Sequence, residues 1–383
     1  MILRNGKIIK EDLWTRYGKV INPEPLFFDE KQYADVKIDC QGALISPGFI
    51  DLQVNGGFGV DFSHDSEKIE EGLKTVAKGL LAFGTTSFCP TLVTSPPEFY
   101  HEVVNKLRKT PGTAEGAEVL GIHTEGPFIN SCKKGAHVSK YIHSLGSGHG
   151  IIEEVYGPDW RNIRIVTMAP ELENSPEIIR YLTDNDVTVS LGHSMATLTQ
   201  GEEAVRNGAS FITHLYNAMP PFHHRDPGLI GLLASSKLPP EKTIYFGIIA
   251  DGIHTHPAAL RIAYRTHPAG LVLVTDAISA LGLEPGHYRL GDQDVEVTHS
   301  SAVLAGTNTL CDCSTVEALE TATLHPACAL GIESIKGTLN YGADADLVFL
   351  DNELNVLSTW ISSEQVYENP TAPKLIIKRI DKS

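Results

Sequence analysis

Phe211-Ile212-Thr213-His214-Leu215-Tyr216-Asn217-Ala218-Met219 runs from a short apolar strand straight into an imidazole and then an amide. The loop that follows carries His223, His224 and Arg225. A buried strand that hands polar side chains to its C-terminal end is how a parallel barrel assembles a site. The stretch therefore predicts further strands that end in matching polar groups.

The middle of the chain supplies them in alternation with helices. Strands are expected at 46–52, 86–89, 119–123, 163–168, 187–191, 210–215, 244–249 and 270–275. Between the first two, residues 66–83 place Ile69, Leu73, Val76, Leu80 and Leu81 on one helical face, with Gly84 as the stop. Further helices fit 97–109, 176–185, 198–207 and 257–266. Eight β-rich runs interleaved with helices point to an α/β fold, a (β/α)8 TIM-type barrel rather than a doubly wound sheet. Both ends of the chain are instead rich in short alternating strands, such as Lys7-Ile8-Ile9 and Val36-Lys37-Ile38 early and Leu347-Val348-Phe349 late. They predict a small β-sandwich domain built from residues 1–46 and 336–383 around a barrel at 47–335.

Composition sets the outer bounds. The length of 383 residues suits a barrel with an accessory domain, and 42% hydrophobic with 20% charged residues describes an ordinary globular chain. The net charge of −16, without a long basic run, argues against nucleic acid or an anionic membrane as partner. An anionic small molecule would need a local cation to receive it. The six cysteines are widely spaced and suggest neither a disulfide framework nor a zinc knuckle. With no apolar N-terminal segment, a reduced cytoplasmic setting is expected.

The strand ends carry the chemistry. The third strand leads into His123-Thr124-Glu125-Gly126-Pro127, the fifth into Gly192-His193-Ser194 and the sixth into His214. Asp251-Gly252-Ile253-His254 follows the seventh and Asp276 the eighth. Singly, His193 reads as a hydrogen-bonded structural residue, Asp276 as a helix N-cap and Glu125 as a turn residue. At equivalent positions of one barrel they read as a site. Glu125, His193 and His214 form the one-carboxylate, two-imidazole set of an open zinc-type hydrolytic centre whose fourth position holds water. Asp276 is then the expected general base. The first strand ends in Gln53-Val54-Asn55 and the fourth in Met168-Ala169-Pro170, with neither the imidazoles nor the lysine of a binuclear centre. One divalent metal ion per subunit is expected: Zn2+, with Fe2+, Co2+ and Mn2+ also compatible with the donors.

At these residues the chain resembles the amidohydrolase superfamily and, within it, the N-acetylglucosamine-6-phosphate deacetylase family. The supporting motifs are Pro47-Gly48-Phe49-Ile50-Asp51-Leu52, His123-Thr124-Glu125-Gly126-Pro127-Phe128, Gly135-Ala136-His137, Leu191-Gly192-His193-Ser194, the stretch quoted first, and Val274-Thr275-Asp276-Ala277. The resemblance implies that Glu125, His193 and His214 hold the metal, that Asp276 is the catalytic acid/base, and that the acetyl group of N-acetylglucosamine 6-phosphate is removed. It further implies that Ala136, His137, Asn217, Ala218, Arg225, His254 and Leu310 contact the sugar phosphate. It also implies a homodimer, Arg225 reaching a neighbour's phosphate. Arg225 otherwise reads as part of a solvated turn, but a chain this acidic needs such a cation for a phosphate dianion.

The pattern departs after the eighth strand. Where the family has Leu-Ser-Gly and a long helix, this chain has Leu310-Cys311-Asp312-Cys313-Ser314. Only about one helix follows before Leu324-His325-Pro326. A deleted barrel helix and a lineage that tolerates shorter closure both account for this. Two other functions are therefore expected as competitors: a mononuclear amidohydrolase acting on an N-acyl amino acid or cyclic amide, and a non-catalytic relative. The intact set of Glu125, His193, His214 and Asp276 argues against the second.

Overall fold

Strands buried along nearly their whole length make the centre of the molecule. In the computed structural model, which describes residues 1–31, 33–291, 293–297 and 313–380, eight strands pair in chain order, all parallel. They are β1 (Phe49–Val54), β2 (Thr85–Val93), β3 (Ile122–Glu125), β4 (Ile163–Met168), β5 (Thr188–Leu191), β6 (Phe211–Ile212), β7 (Tyr245–Ile248) and β8 (Leu271–Leu273). Such strands read as near-continuous apolar runs because helices cover the outside while side chains fill the inside. Ile50, Leu52, Cys89, Ile165, Phe211 and Val272 pack together although their strands are not all neighbours. Only the interior of a barrel lets them meet.

Closure is made at a seam rather than by a full ladder. Val54 and Ala277 form a parallel bridge, Asp276 N–H donates to the Gln53 carbonyl, and Asn55 N–H donates to that of Ala277. The buried Asp51 carboxylate adds a 2.6 Å bond from the Thr275 hydroxyl. The helix at Ile69–Leu80 buries Ile69, Leu73, Val76 and Leu80 on the face the periodicity gives, and the chain turns at Gly84 with φ 79°. A Cβ there would stand 2.9 Å from Phe49 and Val348, so the turn also needs the missing side chain for close packing.

Residues from both ends form one six-stranded sheet, in the order Lys7–Ile9, Ile2–Arg4, Leu44–Pro47, Leu347–Leu350, Val356–Ile361, Glu364–Glu368. Ile38 and Leu375 pack against the cluster of Ile45, Leu347, Phe349 and Trp360 beneath it. Ser46 and Pro47, expected in the first barrel strand, pair in this sheet, and the barrel begins at Phe49. An unbroken apolar run carries no mark of where one sheet hands over to the next. The third strand is likewise shifted, from 119–123 to Ile122–Glu125, which places Glu125 inside the strand as its last residue. Helix Thr315–Ala322 leads to a second, Leu324–Ala329, and Leu310 lies outside the described residues. Among the described residues no helix is long and apolar enough to cross a membrane.

Candidate metal centre and active site

The C-terminal ends of β3, β5, β6 and β8 deliver Glu125, His193, His214 and Asp276 to one end of the barrel. Three of these residues hold strained backbones: φ is 47° at His193, 27° at His214 and 50° at Asp276. Each left-handed non-glycine residue costs of order 1–3 kcal/mol, and such residues gather where a side chain must be aimed. Bonds between neighbouring loops hold the aim. Asn130 N–H donates to the His193 carbonyl, Ser194 N–H to that of Ala218, and Leu215 N–H to that of Gly247. Behind Glu125, the buried Tyr156 hydroxyl donates to the Gly126 carbonyl and accepts from Thr124.

The protons can be placed from their partners. His193 Nδ1 lies 2.8 Å from the Lys133 carbonyl oxygen, which only accepts, so Nδ1 carries the hydrogen and Nε2 presents a lone pair. That lone pair faces Glu125 Oε1 at 2.8 Å. His214 Nε2 stands 2.8 Å from the same oxygen and 3.1 Å from His193 Nε2. A proton on His214 satisfies one of these contacts; a divalent cation satisfies all three. Two imidazole nitrogens and one carboxylate oxygen are a fitting donor set for it, and the Nδ1–H bond to Lys133 is the outer support such a ligand ordinarily has. Burial opposes charge on His214, yet the Glu125 bond and charge outweigh it and raise its pKa to about 9. Burial likewise opposes the Glu125 carboxylate, but the two histidines hold it well below the usual range.

His137 also stands close: it, Glu125 and His193 offer donor atoms within 4.8 Å of one another. Its proton is on the other nitrogen. Thr94 N–H donates to His137 Nδ1 at 3.2 Å, which leaves the hydrogen on Nε2, 4.0 Å from Glu125 Oε1. Burial, followed by the neighbouring His193, lowers its pKa to about 3. His137 is therefore a neutral donor facing the centre, and in that tautomer it cannot be a ligand.

Asp276 is held by two amides. Asn55 Nδ2 donates to its Oδ1 at 2.7 Å and Gln53 Nε2 donates to the same oxygen at 3.0 Å. Burial, then the Glu125 charge, push the carboxyl up to about 7, against the pull of His214 and Asn55.

The other expected site residues occupy loops nearer the surface. Asn217 is half-buried, and its Nδ2 is a buried nitrogen without a hydrogen-bond partner among the described residues. Ala136, Arg225 and His254 are exposed. His254 Nδ1 is 2.6 Å from Asp251 Oδ2, and Asp251 Oδ1 also accepts the N–H groups of Ile253 and His254. The strand-end reasoning missed the supporting layer: Gln53 and Asn55 as donors, Thr94, the Lys133 carbonyl, and Glu171. The first two were visible only as absent imidazoles. The remainder emerge from contacts made across loops.

The family profile described as Amidohydrolase family matches residues 44–366. The chain belongs to the amidohydrolase family. This amidohydrolase is 54% identical over 385 residues to the N-acetylglucosamine-6-phosphate deacetylase of Danio rerio, covering 96% of this chain and 95% of that one. It is 53% identical over 389 residues to that of Homo sapiens, covering 97% and 95%. Among solved structures, N-acetylglucosamine-6-phosphate deacetylase from Pasteurella multocida superposes with a TM-score of 0.82 at 28% identity, covering 96% of this chain and 98% of that one. Amidohydrolases generally hold a divalent metal, in keeping with the buried histidine and glutamate cluster found here.

Proposed function

We propose that this amidohydrolase removes the acetyl group of N-acetylglucosamine 6-phosphate, giving glucosamine 6-phosphate and acetate. The observation that carries the reading is the convergence of Glu125 Oε1, His193 Nε2 and His214 Nε2 within 3.1 Å of one another in the barrel that also brings in Asp276. The choice of substrate is supported by deacetylases of that name at 53–54% identity along nearly the whole chain.

Glu125, His193 and His214 hold one divalent cation in this reading, Zn2+ in first place. A second is not expected, since Gln53 and Asn55 turn their amide nitrogens to Asp276. When bound, such an ion acidifies water and polarises a carbonyl. Asp276 does the proton work. With Oδ1 occupied by two amides, Oδ2 takes the water proton during attack on the acetamide and returns it to the departing amine. His137 donates from Nε2 to the carbonyl oxygen as charge develops on it. Asn217 and the Ala136 and Ala218 backbones lie along the sugar. His254, steadied by Asp251, and Arg225 receive the phosphate, Arg225 from the neighbouring subunit of a homodimer.

Phosphate dependence separates this reading from an amidohydrolase acting on an N-acyl amino acid or cyclic amide. Turnover of N-acetylglucosamine 6-phosphate is expected to exceed that of N-acetylglucosamine. Arg225→Ala is expected to raise KM for the phosphorylated substrate at least tenfold more than for the plain sugar. Equal effects on both would contradict the assignment of Arg225, and equal turnover of both would contradict the substrate.

A further inference from the structure

The fourth strand supplies no ligand, yet a carboxylate just beyond its end ties together the two segments that set His193. Glu171 follows Met168-Ala169-Pro170 and is half-buried. Its Oε1 accepts from Asn130 Nδ2 at 2.9 Å and from Met195 N–H at 2.6 Å. Its Oε2 accepts from the Ser194 hydroxyl at 2.6 Å. Asn130 begins the turn that presents the Lys133 carbonyl, and its own Oδ1 caps that turn at Cys132 N–H. Ser194 and Met195 directly follow His193. The ring and the acceptor of its Nδ1–H thus sit on two separate loops, and both loops are fastened to one carboxylate.

We infer that Glu171 is a positioning residue that holds His193 in register with the Lys133 carbonyl and so fixes His193 Nε2 as a lone-pair donor toward Glu125 and His214. Two features give it that leverage. His193 sits at φ 47°, a conformation that persists only when its surroundings over-determine it. Bonds to an ionised acceptor are also stronger than neutral ones, so a single carboxylate suffices to hold three donors. Without Glu171, the side-chain brace on both sides of the 2.8 Å bond between His193 Nδ1 and Lys133 is lost, and the Asn130 N–H bond to the His193 carbonyl remains as a backbone tie between the two segments. Outer supports of metal-bound histidines typically set metal affinity by 10–100-fold.

The inference rests on the proposed metal reading, and the test keeps the two apart. Apo-protein of the wild type, Glu171→Ala and Glu171→Gln is titrated with Zn2+ against a chromophoric chelator, beside thermal melts of the same apo samples. Glu171→Ala is expected to bind Zn2+ 10–100-fold more weakly. Glu171→Gln is expected to fall between Glu171→Ala and the wild type, because its amide oxygen keeps Asn130 and Met195 and its N–H donates to Ser194, but through neutral bonds. Wild-type Zn2+ affinity in both variants would overturn the inference while leaving the metal centre standing. No Zn2+ binding by the wild type would overturn both. If Glu171→Ala does not fold, Asn130→Ala reads the same brace. About tenfold weaker binding is then expected, and unchanged binding overturns the inference. Thr197→Ala, which removes a surface helix cap, serves as a stability control with unchanged affinity.

Discussion

A carboxylate serves as a base near neutral pH only where its surroundings make ionisation cost something without forbidding it. Asp276 meets that condition through burial and the nearby Glu125 charge, which push it up to about 7, while His214 and the Asn55 amide hold the rise in check. The sign of the pH dependence follows. In the proposed reaction the working form of Asp276 is the carboxylate, so kcat/KM is expected to fall about tenfold per pH unit as pH drops below the Asp276 pKa. The proposed cation between Glu125 and His214 would offset the Glu125 charge, so the acid limb is expected at or below 7. A pH–rate profile checks this, and a limb centred above 8 would contradict it. His137 adds no limb near neutrality, since its pKa of about 3 keeps it neutral throughout.

Among the elements, the seam between β1 and β8 differs most from an ordinary strand pairing, and Asp51 lies in it. Burial raises its pKa from 3.8 to about 6, against the pull of the Thr275 hydroxyl and of the Gln53 and Thr275 N–H groups. A raised folded pKa means that the contribution of this group to stability is full below 3.8 and is lost as pH rises through about 6. Between pH 5 and 7.5 the loss amounts to about 1 kcal/mol. Denaturant unfolding at the two pH values should show a drop smaller by that amount in Asp51→Asn, and an equal drop in both proteins would refute the assignment. This seam was not legible in the sequence, and the reason is general. Apolar periodicity places strands and helices, and it placed the strand Ile163–Met168 and the helix Pro257–Thr266 to the residue. It also put Glu125, His193, His214 and Asp276 at strand ends. Handover between sheets at Pro47–Phe49, the tautomers of His137 and His193, and the bracing by Glu171 depend on contacts between residues far apart in the chain. No local pattern records them.

At the scale of the molecule, the barrel and the six-stranded sheet are joined by a buried cation. Lys336 Nζ lies 2.7 Å from Glu118, 2.7 Å from Asp346 and 3.0 Å from Asp344, so one ammonium links the short strand beside β2 to the returning C-terminal segment. Removing it leaves three carboxylates facing one another. Lys336→Ala is expected to lose on the order of 3–5 kcal/mol of unfolding free energy at pH 7. A loss below about 1 kcal/mol would mean that the latch contributes little. The fold so assembled exists, in this account, to hold one divalent cation beside one proton carrier, and acetate release tests that claim most directly. Metal-stripped protein given N-acetylglucosamine 6-phosphate should release no acetate, and one equivalent of Zn2+ per chain should restore release. Asp276→Asn loaded in the same way should remain at least 100-fold slower. Acetate release by the stripped protein, a need for two equivalents, or near-wild-type turnover by Asp276→Asn would contradict the account.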